Sequence, residues 1–120
     1  QIGVCSNLAL PYAQPMLDAL PSHPAAVVLS YRVGIMKPHK KIYQLVASRL
    51  DLKISQILFV GNDIDADLVA PAAAGATAMS TREFESSFSS WPSIYAPKQV
   101  IKLFGRIANA KSKLGMEWAR

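Results

Sequence analysis

Apolar residues in this chain come in short runs closed by polar or turn-forming residues, and the runs alternate between two periodicities. Ile2–Cys5 is apolar and rich in β-branched residues and ends at Ser6 and Asn7, which predicts a buried strand. From Leu8 to Leu20, the residues Leu10, Ala13, Leu17 and Leu20 recur at helical spacing, and Pro11 and Pro15 push the regular part toward the C-terminal end. Ala25–Leu29 reads as a second buried strand. Pro38 stands where the first turn of a helix tolerates proline, and Ile42, Leu45, Val46, Arg49 and Leu50 continue along one face. Gln56–Val60 is the third and clearest strand, ended by Gly61. A short helix follows from about Asp67 to Ala74, capped by Gly75, and Ala76–Met79 reads as a fourth strand. This alternation predicts an α/β fold, a parallel sheet with helices on both faces. No internal repeat is visible.

The C-terminal third departs from that rhythm. Glu83–Ser93 is Ser-rich with Phe84, Phe88 and Trp91 interleaved, which predicts a loop whose aromatics pack on the body. Pro97 then opens a predicted helix with Val100, Leu103, Phe104, Ile107 and Ala108 on one face, and Lys98, Lys102, Arg106 and Lys113 mostly on the other. Charge follows the same division. Residues 1–89 hold seven basic and seven acidic residues, so the net charge of +5 belongs entirely to residues 90–120. The favoured reading is a docked helix with a solvated basic face. A surface for anionic membrane or nucleic acid is the alternative, and nucleic acid is not expected because no aromatic-basic strand motif accompanies the charge.

Composition narrows the class. With 51% hydrophobic and 18% charged residues in 120, the chain is one packed domain rather than a disordered tail. The longest apolar stretch, Leu68–Met79, has twelve residues interrupted by Pro71 and Gly75, short of the roughly 20 that a membrane span needs. No secretory leader is seen, and the expected compartment is the cytoplasm. Gln1 is not an initiator methionine, which allows for a removed upstream segment. The lone Cys5 excludes an internal disulfide and a cysteine-built zinc site.

In a parallel sheet, ligands bind beyond the carboxyl ends of the strands. Three polar clusters fall there: Ser6 and Asn7 after the first strand, Lys37 shortly after the second, and Asn62, Asp63, Asp65 and Asp67 after the third. A hydroxyl, an ammonium and clustered carboxylates suit a phosphate with Mg²⁺: the hydroxyl and nearby amides bond phosphate oxygens, the lysine neutralises charge, and carboxylates hold a hard cation. Taken singly, each is commonplace: a Ser that caps a helix, a solvated Lys, an Asp-rich turn at a helix N-terminus. Their convergence on one sheet edge carries the argument.

These residues resemble the haloacid dehalogenase (HAD) superfamily of phosphohydrolases. Val4-Cys5-Ser6-Asn7 is similar to the second motif of that family. Gly34-Ile35-Met36-Lys37-Pro38, with Ile42 and Tyr43 behind it, is similar to the third. Ile57-Leu58-Phe59-Val60-Gly61-Asn62-Asp63, then Asp67 and Ala73-Ala74-Gly75, is similar to the fourth. The resemblance covers roughly residues 2–82 and implies a three-layer Rossmann-like sheet flanked by helices and incomplete on its N-terminal side. Residues 1–82 would be the core, and 83–120 a loop and basic helix packed on it. By resemblance, Ser6 and Asn7 bind phosphate, and Lys37 holds both the phosphoryl group and the nucleophile. Asp63, Asp67 and Asn62 are the candidate Mg²⁺ ligands. The family usually has Gly-Asp and a second acid four or five residues later. Counting back from Asp67, one register puts Asn62 at the first acidic position and the other puts Asp63 there; Asp63 is favoured, with Asp67 as a supporting acid.

The first motif of the family is Asp-x-Asp at the end of the sheet's central strand, and the resemblance implies that this chain begins after that point. Its first Asp is the nucleophile and its second the usual acid/base. Asp18 and Asp51 are the only free candidates for the nucleophile, and neither follows an apolar strand. Five residues between Tyr31 and Lys37 leave no room for a cap. The first-motif strand would lie between Ile2–Cys5 and Gln56–Val60, so three outcomes are open: those strands pair directly, another chain fills the gap, or a preceding segment does. The function implied is part of a Mg²⁺-dependent phosphatase acting on a small phosphorylated metabolite, inactive without the nucleophile segment. The alternative is a non-catalytic binding module, and a homo-oligomer is expected. A dehalogenase, which needs no metal, is a subordinate reading that would fit Asn62 but also requires the Asp.

Overall fold

The strands form where β-branched runs stop at polar residues. The computed structural model describes residues 1–20 and 22–89. Its elements are β1 (Gly3–Ser6), α1 (Leu10–Asp18), β2 (Ala26–Leu29), α2 (Ser30–Val33), α3 (Lys40–Leu50), β3 (Leu58–Gly61), α4 (Ala70–Ala73), β4 (Thr77–Ser80) and α5 (Thr81–Ser89). A 3₁₀ turn, Ile54–Gln56, precedes β3, and a π-helical segment, Ile64–Val69, leads into α4. All four strands run in parallel pairs: Gly3 to Ser6 lie opposite Ala26 to Leu29, and Leu58 to Gly61 lie opposite Thr77 to Ser80. The fold is α/β and Rossmann-like.

The four strands do not make one ladder. β1 pairs with β2, β3 pairs with β4, and no ladder joins β1 to β3. Direct pairing of those two strands, one of the three outcomes open from the sequence, is therefore not realised. What joins the two sheets is the core. Val28, Ile42 and Tyr43 are fully buried, clustered with Ala26, Val46, Ala47, Leu50 and Ile57, while Cys5 of β1 and Phe59 of β3 pack against this cluster. Burying an aliphatic or aromatic side chain of this size contributes about 1.5–3 kcal/mol, so α3 is the keel on which both pairs rest.

Four local expectations need correction. The α3 helix starts at Lys40, not at Pro38: His39 is the N-cap, with its ring Nδ1 accepting from the Lys41 amide at 3.2 Å. Its buried face is Ile42, Tyr43, Val46, Ala47 and Leu50, so the stripe is rotated from the expected one and Arg49 is exposed, donating to the Val27 carbonyl. In α1, Ala13 is buried but Leu10 is exposed. The expected loop from Glu83 is helical as far as Ser89. Ser80 and Glu83 form a capping pair: the Ser80 amide donates to Glu83 Oε2 at 2.8 Å, and the Glu83 amide donates to Ser80 Oγ at 3.2 Å. That reciprocal exchange satisfies two donors at the helix start and outweighs the weak helix propensity of the serines that follow. The expected Trp91 contact, the Pro97 helix and the basic tail lie outside the described residues. No described helix is long and apolar enough to cross a membrane.

The π-helical segment has a cause in the sequence. Pro71 has no N–H to give and its ring would meet a carbonyl of the preceding turn. The Ala70 amide reaches back five residues, to the Asp65 carbonyl. The next carbonyl, that of Ala66, would need the missing Pro71 N–H. The Tyr43 hydroxyl fills that place by donating to the Ala66 carbonyl. A side chain from α3 thus completes the turn that carries Asp67.

Candidate functional site

The carboxyl ends of β1 and β3 bring the predicted polar residues together, though not all as expected. Lys37 is the hub. Its main-chain N–H donates to Asn7 Oδ1 at 2.8 Å, and Asn7 Nδ2 donates to its carbonyl at 3.0 Å. Its ammonium forms an ion pair with Asp67 Oδ1, with only 13% and 18% of the two side chains exposed. The other Asp67 oxygen accepts from the amides of Asn62 at 3.0 Å and Asp63 at 3.1 Å. Asn7, Lys37, Asp67 and the turn after β3 therefore form one connected bridge from one sheet to the other.

Gly61 makes that bridge possible. A Cβ at this position would overlap the Asp67 carboxylate and its Cβ. The glycine is required for close approach, not for an unusual backbone angle.

The remaining candidates stand at the rim. Ser6 ends β1, half-buried, opposite Leu29. Asp63 caps the π-helical segment, its Oδ1 accepting from the Ala66 amide at 2.8 Å. Asn62 Oδ1 accepts from the Thr81 hydroxyl at the start of α5. Asp65 is exposed. Among the described residues no group of three or more His, Cys, Asp or Glu side chains is arranged to hold a metal ion. Two residues outside the sequence-derived set matter here, Thr81 and Tyr43. A hydroxyl directly after a strand was a signal for the first; nothing local marked the Tyr43 hydroxyl, whose partner lies 23 residues away.

Electrostatics follow burial. The Cys5 thiol is pushed up to about 11, chiefly by burial, with Lys37 pulling it down and Asp67 pushing it up. It stays protonated and unreactive at neutral pH. Tyr43 is pushed up to about 12, first by burial, then by negative charge at Cys5, Asp67 and Asp63. Its folded value lies above the ordinary 10, so the stability it contributes is intact below pH 10 and is lost as pH rises toward 12. Tyr43→Phe leaves the buried Ala66 carbonyl without a donor and is expected to cost about 1–3 kcal/mol, read from urea unfolding at pH 7. The variant is also expected to lose part of the steep stability decline between pH 10 and 12. An unchanged midpoint and an unchanged alkaline limb would show that the hydroxyl contributes nothing.

Residues 1–75 match the profile of the haloacid dehalogenase-like hydrolases. The chain belongs to this family. That family is one of hydrolases, in a superfamily that generally uses Mg²⁺. Among solved structures, an uncharacterized protein from Corynebacterium glutamicum ATCC 13032 Kitasato, determined at 1.44 Å resolution, is similar at 21% identity with a TM-score of 0.56. The match covers 84% of this chain and 66% of that one, and it shows the fold. No curated protein matches the chain significantly.

Proposed function

We propose that this HAD-like chain carries the phosphoryl-binding half of a phosphatase site and turns over substrate only when a strand bearing Asp-x-Asp lies between β1 and β3. The observation that carries this reading is the bridge Asn7–Lys37–Asp67. It spans the carboxyl ends of two parallel pairs that share a core but no ladder. Ser6 Oγ would donate to a phosphoryl oxygen and Lys37 would offset its charge. The two other candidate nucleophiles are poorly placed for this work, since Asp18 ends α1 and Asp51 is the C-cap of α3.

The described residues do not by themselves fit a Mg²⁺ site. Mg²⁺ demands near-octahedral oxygen ligation. Both Asp67 oxygens are already engaged, by an ammonium and by two amides, and one Asp63 oxygen caps a helix. Asn62 and Asp63 are the donors this edge would contribute to a site completed from elsewhere.

The test is turnover of an aryl phosphate with Mg²⁺. The 120-residue chain alone is expected to show none. A version with an apolar strand ending in Asp-x-Asp fused ahead of Gln1 is expected to gain turnover that Lys37→Ala or loss of the first added Asp removes. Turnover by the chain alone, abolished by Lys37→Ala, would place the nucleophile within it and sink the reading. A folded but inert fusion would favour the non-catalytic binding module. Among the described residues the facing edges of β1 and β3 have no ladder partner, which leads us to expect a dimer or larger by sedimentation of the chain alone at micromolar concentration. A monomer with a cooperative melt would count against that association.

A further inference from the structure

We propose that Asn7 is a positioning residue for Lys37 and not an anion ligand. The proposal deepens the phosphatase reading and rests on it for the use to which Lys37 is put. Lys37 lies in the connection between α2 and α3, where the main chain has few anchors: the Gly34 amide bonds back to the Ser30 carbonyl at 2.9 Å, and His39 to Met36 at 3.0 Å. The N–H and C=O of Lys37 find their partners instead on one side chain, thirty residues earlier, at 2.8 and 3.0 Å. The two bonds fix the orientation of the amide, because the oxygen must face the N–H and the nitrogen must face the carbonyl. Among short side chains only Asn offers a donor and an acceptor at that separation; a carboxylate lacks the donor, and a single hydroxyl cannot span both groups. With its oxygen and one N–H committed, Asn7 has little left for a phosphate. The Lys37 main chain is thus tied to the end of β1, while its ammonium is tied to Asp67 beyond β3. Asn7 sets where the lysine starts, and Asp67 sets where it ends.

The test is NMR on the isotope-labelled chain, reading hydrogen exchange at the Lys37 amide and the resonance of its Nζ, with inorganic phosphate as the probe. Asn7→Ala is expected to speed exchange at the Lys37 amide at least about fivefold while the β1–β2 ladder amides keep their rates. The Nζ signal should shift toward that of a solvated lysine. Asn7→Asp is expected to be intermediate at neutral pH, since it keeps the acceptor. It should recover toward wild type below about pH 4, where its carboxylic acid regains a donor. Weaker phosphate binding in Asn7→Ala with both Lys37 signals unmoved would overturn the proposal in favour of a direct ligand. If Asn7→Ala does not fold, the Asn7→Asp pH response and the wild-type exchange rate decide; an unprotected Lys37 amide in the wild type overturns the proposal. Absence of phosphate binding to the wild type would count against the phosphatase reading alone, because the two Lys37 signals still answer for Asn7.

Discussion

Gly61→Ala is expected to destabilise the protein by about 2–3 kcal/mol, the range for forcing extra volume into a tightly packed place. For a domain of this size that lowers the melting temperature by roughly 10 °C or more. The cause is steric: the added methyl has no room beside the Asp67 side chain, which packs against the end of β3. Relief requires Asp67 to move, and moving it strips the Asn62 and Asp63 amides of their acceptor and Lys37 of its counter-charge. The origin of the effect is testable by a double-mutant cycle, because neighbouring sites couple and distant ones add. In an Asp67→Gly background, which removes the obstructing atoms, Gly61→Ala should cost almost nothing further. Additive costs in thermal melts would show that the glycine matters for some other reason.

Asp67→Ala is the second large effect, at about 3 kcal/mol. Removing one partner of a mostly buried ion pair leaves the other charge uncompensated, which costs more than the pair itself contributes. Here the stranded group is the Lys37 ammonium, with 13% of its side chain exposed. Asp67→Asn should fall between, since it keeps an acceptor for the two amides but not the charge. The double variant Lys37→Met with Asp67→Leu should be more stable than Asp67→Ala, because no lone charge remains. Chemical denaturation of the four proteins measures this directly. A double variant as unstable as Asp67→Ala would mean that the orphaned amides, not the ammonium, carry the cost. A cost below about 0.5 kcal/mol for Asp67→Ala would mean that the pair is solvated and the bridge is not structural.

The two variants also bear on function. Both act through Lys37, so both are expected to weaken the anion site as well as the fold. Asn7→Ala is expected to disturb Lys37 at smaller cost to stability, because Asn7 is exposed.

How much of this was legible from the chain depends on the range over which each interaction acts. The strands β2 and β3, the core stripe along α3 in outline, and Gly75 after α4 were readable because period, branching and turn chemistry are local. Gly75 does adopt the positive φ, 103°, that its capping place predicts. The order of motifs, and with it the convergence of Asn7, Lys37 and Asp67 on one edge, followed from strand–helix alternation. The start of α5 was also written locally, in Ser80 and Glu83, but the serines and aromatics that follow read more readily as a loop. Other features had no local signature. That Tyr43 would complete the turn broken by Pro71, that Gly61 would be a matter of clearance, and that Asn7 would bind the main chain of Lys37 depend on residues 6 to 30 positions apart in sequence. Sequence alone determined the parallel α/β class and which polar groups gather at the carboxyl edge, because hydrophobic periodicity and strand direction settle those. Only the tertiary structure decided which of these groups are already spent on one another, because a hydrogen-bonding group has few partners and the choice among them is made by packing.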